Sequence, residues 1–155
     1  MKELVEYLKQ NHITVATCES CTGGMLASQL CDFRGISSVF KGSIVTYQNE
    51  IKEKIVHVSK KTIEEYGVVS EQVALEMAKN TKELMEVDLC ISYTGNAGPD
   101  VCDNKPVGTV FCGVAFHEKT CCFELHMSGR RNEIRKQTIE ESVKAILAFL
   151  KKNEM

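Results

Sequence analysis

The chain has no long hydrophobic run. None of its apolar stretches exceeds about ten residues, half of what a membrane-spanning helix needs, so no membrane partner is expected. It also lacks an excess of positive charge: 19 Lys and Arg against 21 Asp and Glu leave a net charge of -2. Such a surface does not neutralise a phosphate backbone, and nucleic acid is not an expected partner. The start, Met1-Lys2-Glu3-Leu4, puts an acidic residue where a signal peptide keeps basic and then apolar ones, so a cytoplasmic protein is expected. No repeat, linker or low-complexity tract divides the 155 residues, which read as one domain, 1–155. A chain of that size buries about two-thirds of its unfolded surface without staples. The histidines (12, 57, 117 and 126) are few and scattered, none beside a candidate nucleophile, and all read as structural.

Cysteine, in contrast, is plentiful, with eight residues (18, 21, 31, 90, 102, 112, 121 and 122). Without an export signal, reduced thiols are the expected state. Cys90 and Cys112 fall inside apolar strand-like runs, where cysteine acts as a small core residue. Cys18-Glu19-Ser20-Cys21 has the C-x-x-C spacing of a redox pair or half a zinc site. No second such pair and no zinc-finger His pair accompanies it, so no metal is expected and thiol redox chemistry is a lesser alternative.

The most informative run is Thr17-Cys18-Glu19-Ser20-Cys21-Thr22-Gly23-Gly24. It follows β-branched Ile13-Thr14-Val15-Ala16 and precedes Met25-Leu26-Ala27-Ser28-Gln29-Leu30, which places it at a strand-to-helix turn. The glycine pair allows a sharp turn and close ligand approach, and the N–H groups of the first helical turn attract anions. A second such junction follows the strand-like run from Val39 to Tyr47, which has room for a bulge at Gly42. Here Tyr47, Asn49 and Lys52 come together, the last two on one helix face; a cap and a solvated lysine are the plain alternatives.

A short helix from Ser59 to Tyr66, ended by Gly67, is followed by a longer one with Ser70 as N-cap. Val73, Ala74, Met77, Ala78, Leu84 and Met85 form its buried stripe. The apolar run from Val87 to Tyr93 leads into Thr94-Gly95-Asn96-Ala97-Gly98-Pro99-Asp100, a loop rich in exposed N–H groups that continues to Lys105-Pro106-Val107-Gly108-Thr109. A hairpin over residues 110–127 comes next. The last helix opens with Arg130, Arg131 and Arg135, against the sense of the helix dipole, which an anion bound at that end would relieve. The element order predicts an α/β fold with a partly parallel sheet, helices on both faces and Gly-rich loops at one edge.

Three separated stretches, Glu19 to Gly24, Val45 to Lys52, and Thr94 to Asp100 with Lys105 to Val110, together resemble the CinA C-terminal domain. Val69-Ser70-Glu71 and the Ser128-Gly129 run through Arg131 and Arg135 fit the same pattern, so the resemblance covers roughly residues 3 to 150. It implies a single three-layer α/β/α domain with a mixed sheet, acting as a homo-oligomer and without a cofactor. The implied activity is hydrolysis of the carboxamide of nicotinamide mononucleotide to nicotinate mononucleotide and ammonia.

Carried onto this sequence, that chemistry makes Ser20 the nucleophile, Lys52 the base and Tyr47 a proton relay or an orienting group. Thr22, Gly23, Gly24, Asn49, Thr94, Gly95, Ala97, Gly98, Arg131 and Arg135 are then the expected substrate-binding residues. The chain departs from the family pattern at Arg130, where an Asp is usual, at Asn96, where Ile is usual, and at Val101-Cys102, where a Gly pair is common. These departures motivate the alternative of a non-catalytic module that binds a nucleotide or a partner.

Overall fold

The computed structural model describes residues 1–154; Met155, the last residue of the expected domain, lies outside the described residues. Five strands form one sheet in the order β2-β1-β3-β4-β5. The strands are β1 (Val15–Glu19), β2 (Phe40–Val45), β3 (Leu89–Gly95), β4 (Thr109–Phe116) and β5 (Lys119–His126). β1 pairs in parallel with β2 and β3, whereas β4 runs antiparallel to β3 and β5 antiparallel to β4, so the sheet is mixed as expected. The register of β1 against β2 slips opposite Lys41, next to Gly42, where the sequence predicts a bulge.

Six helices cover the two faces: α1 (Lys2–Gln10), α2 (Met25–Cys31), α3 (Asn49–Val56), α4 (Lys60–Tyr66), α5 (Glu71–Met85) and α6 (Arg131–Lys152), with one 3-10 turn at Ile36–Ser38. Alternation along β3 separates the layers. Leu89, Ile91 and Tyr93 join the larger core under α1, α2 and α6, while Cys90 packs beneath α5 with Cys18, Val73 and Met77. Ser92 shares the α5 face and donates to the Ala74 carbonyl oxygen at 2.6 Å. The helix can come this close because β4 has Gly113 beside it, where a Cβ would meet Ser92 Oγ at 2.5 Å. This is the expected three-layer α/β/α arrangement. The α5 stripe differs at its end: Leu84 is exposed, Met85 is half-buried and Thr81 is buried, because the helix turns Thr81, one turn below Met77, toward the sheet. No helix among the described residues is long and apolar enough to cross a membrane.

β1 sits in the middle of the parallel group, with β2 on one side and β3 on the other. Connections leave in opposite directions there, and a crevice opens beyond the carboxyl ends of the strands, the usual place for a ligand in such sheets. All three predicted Gly-rich or junction segments (after β1, β2 and β3) end at this edge.

Candidate active site

Ser20 is the first residue after β1 and is 7% exposed. Lys52 lies in the first turns of α3 and is 1% exposed, which requires a partner for each of its protons. It has three: Nζ donates to Ser20 Oγ at 2.9 Å, to the Thr46 carbonyl oxygen at 2.7 Å and to the Tyr47 carbonyl oxygen at 3.2 Å. Burial pulls the Lys52 pKa down to about 8, opposed by the nearby Cys18, Cys21 and Cys102 thiols. Residues far apart in sequence are thus joined by two adjacent parallel strands whose ends lie side by side.

Glu19, which sequence reasoning assigned no role, is fully buried and organises the turn. Its carboxylate accepts from the Thr22 hydroxyl at 2.7 Å, the Thr17 hydroxyl at 3.0 Å, and the Leu26 and Ala27 N–H groups at 3.1 and 3.0 Å. The N–H groups of α2 expected to be open for an external anion are therefore held by an internal one. Gly23 N–H is also taken, closing a turn on the Ser20 carbonyl at 2.9 Å. The available signal was a carboxylate between two threonines at the end of an apolar strand and just before a helix start.

Arg135 fastens the same turn from outside. Its Nε donates to the Cys21 carbonyl at 3.0 Å and one terminal nitrogen to the Thr22 carbonyl at 2.8 Å. Neither Arg135 nor Thr22, Gly23 or Gly24 lines the cleft next to Ser20; these residues shape the turn behind it. Asn49, Thr94, Gly95, Ala97 and Gly98 do line the cleft, as does Arg131. The Asn49 side chain is not a helix cap, because Gln48 holds that position. Thr94 donates its hydroxyl to the Val68 carbonyl at 2.7 Å, bringing the segment before α5 into the wall.

Tyr47 contributes through its backbone. Its carbonyl contacts Lys52 and lies 3.5 Å from Ser20 Oγ, whereas its hydroxyl accepts from Arg131 at 2.7 Å and has no hydrogen bond to either residue. Arg131 also donates to the Gly98 carbonyl at 2.6 Å, so it bridges two rims of the cleft. The arginine cluster at the start of α6 is accommodated by these carbonyl oxygens and by Glu133, whose carboxylate accepts from the Arg130 N–H at 3.2 Å.

Thiols surround the lysine but are not activated by it. Burial raises the Cys18 pKa and pushes that of Cys21 up to about 11, the reverse of a redox-active thiolate. Every cysteine among the described residues is free, and no group of three or more His, Cys, Asp or Glu among them could hold a metal.

A partly parallel sheet with helices on both faces and a buried serine–lysine pair at its switch-point crevice defines an α/β/α domain with a candidate ligand cleft. The chain belongs to a particular family of such domains: the CinA C-terminal domain model matches residues 1–150. A provisionally named competence-damage inducible protein of Bacillus cytotoxicus is 44% identical over 137 residues, which cover 88% of this chain and 33% of that protein. A similarly named protein of Bacillus cereus is 43% identical over 86% of this chain, and this chain spans about a third of the length of both relatives. Among solved structures, a CinA-superfamily protein of Escherichia coli aligns with a TM-score of 0.92 at 31% identity, over 96% of this chain and 87% of that one. Competence damage-inducible protein A of Klebsiella pneumoniae aligns with a TM-score of 0.94 at 26% identity, over 98% of both chains.

Proposed function

We propose that this domain is an amidohydrolase that converts nicotinamide mononucleotide to nicotinate mononucleotide and ammonia, with Ser20 as nucleophile and Lys52 as base. The observation that carries the reading is the 2.9 Å contact between a buried lysine and the hydroxyl of a turn serine in a ligand-sized cleft. As a free amine, Lys52 has two N–H groups for the Thr46 and Tyr47 carbonyls, and its lone pair then faces Ser20 Oγ. The two carbonyls thereby aim the base. Lys52 takes the hydroxyl proton as Ser20 Oγ bonds to the carboxamide carbon, and returns it to the departing nitrogen as the C–N bond breaks and ammonia leaves. Water then attacks the acyl-serine, giving the carboxylate and restoring the hydroxyl. The oxyanion of both steps is held by main-chain N–H groups lining the cleft, those of Gly23, Leu26 and Ala27 being already engaged within the turn.

The cleft beside Ser20 encloses about 180 Å³. That volume suits the carboxamide-bearing ring, with ribose and phosphate at the open mouth, where Arg131 is the cation in reach of the phosphate. Arg135, Thr22, Gly23 and Gly24 serve the substrate indirectly, by holding the nucleophile's turn. The cytoplasm suits a protein with eight free cysteines, and the family resemblance supports a homo-oligomer. Incubation with nicotinamide mononucleotide in chelator, with ammonia and nicotinate mononucleotide both quantified, tests the reaction; equal yields of the two support it. Saturable binding without product would instead support a non-catalytic nucleotide-binding module.

A further inference from the structure

The segment joining β3 to β4 has little regular structure, yet it forms one wall of the cleft. Its geometry depends on two side chains. Asn96 is 4% exposed and spends its whole amide on the loop itself. Its Oδ1 accepts from the Cys102 N–H at 2.9 Å, and its Nδ2 donates to the Cys102 and Lys105 carbonyls at 3.1 and 3.2 Å. Asp103, at the tip, ties the loop to the far side of the cleft: its Oδ2 accepts from the Val69 N–H at 2.8 Å, just before α5. Asp103 and Asn104 both adopt left-handed backbone, at φ 58 and 55, which Asp and Asn tolerate better than most residues. The approach of Asp103 also depends on Gly67, where a Cβ would lie 2.6 Å from its carboxylate carbon.

Val69, Asn96, Gly98 and Cys102 all border the space beside Ser20. Gly98 is gripped in turn by Arg131. Neither Asn96 nor Asp103 hydrogen-bonds Ser20 or Lys52, so whatever they do for the reaction they do through the loop.

We propose that Asn96 and Asp103 are positioning residues: together they clamp the β3–β4 loop as a preformed wall of the cleft and so set substrate affinity, not the rate of the bond-breaking step. The proposal rests on the amidohydrolase reading for its substrate. It predicts that releasing the clamp raises KM, because the loop must then be ordered on binding, while kcat, which depends on Ser20 and Lys52, stays close to the wild-type value.

The test combines steady-state turnover of nicotinamide mononucleotide with hydrogen exchange in Asn96→Leu, Asp103→Ala and Asp103→Asn. Asn96→Leu and Asp103→Ala should raise KM by about tenfold with kcat within about twofold, and speed exchange over residues 96–105. Asp103→Asn keeps an acceptor for Val69 and should retain the wild-type KM. A wild-type KM in Asn96→Leu despite faster exchange would overturn the proposal, as would equal losses from Asp103→Ala and Asp103→Asn. If the wild type binds the nucleotide without turning it over, the reaction fails and the clamp is judged by calorimetric Kd in the same variants, with an unchanged Kd overturning it. No binding by the wild type overturns both.

Discussion

Lys52 Nζ and Ser20 Oγ lie 2.9 Å apart, and the two carbonyls that take the other ammonium protons belong to Thr46 and Tyr47, the two residues that follow β2. Lys52, the proposed base, is therefore oriented by main chain. The contacts that set this orientation do not involve the side chains of Thr46 or Tyr47.

The pH dependence follows from Lys52, whose pKa falls from 10.5 to about 8 on burial. Only the free amine accepts a proton, so kcat/KM for nicotinamide mononucleotide should climb through pH 7 and level off above about 8. A profile that is flat from pH 6 to pH 9 would remove Lys52 as the base.

The same shift has a stability consequence. Between pH 8 and pH 10.5 the unfolded chain carries a lysine proton that the folded chain lacks, so the Lys52 contribution to stability rises with pH across that window. Below pH 8 both states hold the proton and the burial cost is felt in full. The full difference is on the order of 3 kcal/mol. It is read by subtracting the urea-unfolding free energies of Lys52→Met from those of the wild type between pH 7.5 and pH 9.5, which cancels groups uncoupled from Lys52 such as Tyr7. The difference should grow with pH, and a constant one contradicts the shift.

Glu19 should behave as a structural anion. Glu19→Ala leaves the Thr22 hydroxyl and two main-chain N–H groups without their acceptor in the core, while Thr17 keeps Ser43, a loss of about 3 kcal/mol. Denaturant unfolding measures it. A variant as stable as the wild type would show that water or rearrangement replaces the carboxylate.

The two arginines of α6 should separate kinetically. Arg135→Ala frees the Cys21 and Thr22 carbonyls and loosens the turn carrying the nucleophile, so kcat should fall about tenfold or more with a smaller change in KM. Arg131→Ala removes a cation from the cleft wall, so KM should rise with kcat less affected. The opposite pattern would exchange their roles.

Much of this was legible in the chain itself. The strand-to-helix positions of Ser20, Asn49 and Lys52 follow from apolar runs that stop at polar or glycine-rich residues, a local signal. What was hidden is what depends on three-dimensional partners. Arg135 looks like an anion-binding residue until the Cys21 and Thr22 carbonyls are seen within its reach. Tyr47 looks like a proton relay, but its hydroxyl is turned to Arg131. Glu19 reads as one polar residue in a polar turn, because its four donors come from both sides of it. Leu84 fits a helical stripe by spacing, yet it lies beyond the edge of the packed face and stays exposed.

The most direct test of the central claim is single-turnover release of ammonia from nicotinamide mononucleotide by the wild type, Ser20→Ala and Lys52→Ala at pH 8.5 in chelator. The account predicts ammonia and nicotinate mononucleotide in equal amounts from the wild type, and rates lower by at least about a thousandfold in both variants, with the double variant no slower than either. Undiminished release from Ser20→Ala would contradict it, since no nucleophile would then be needed at the one position where the buried lysine meets a hydroxyl.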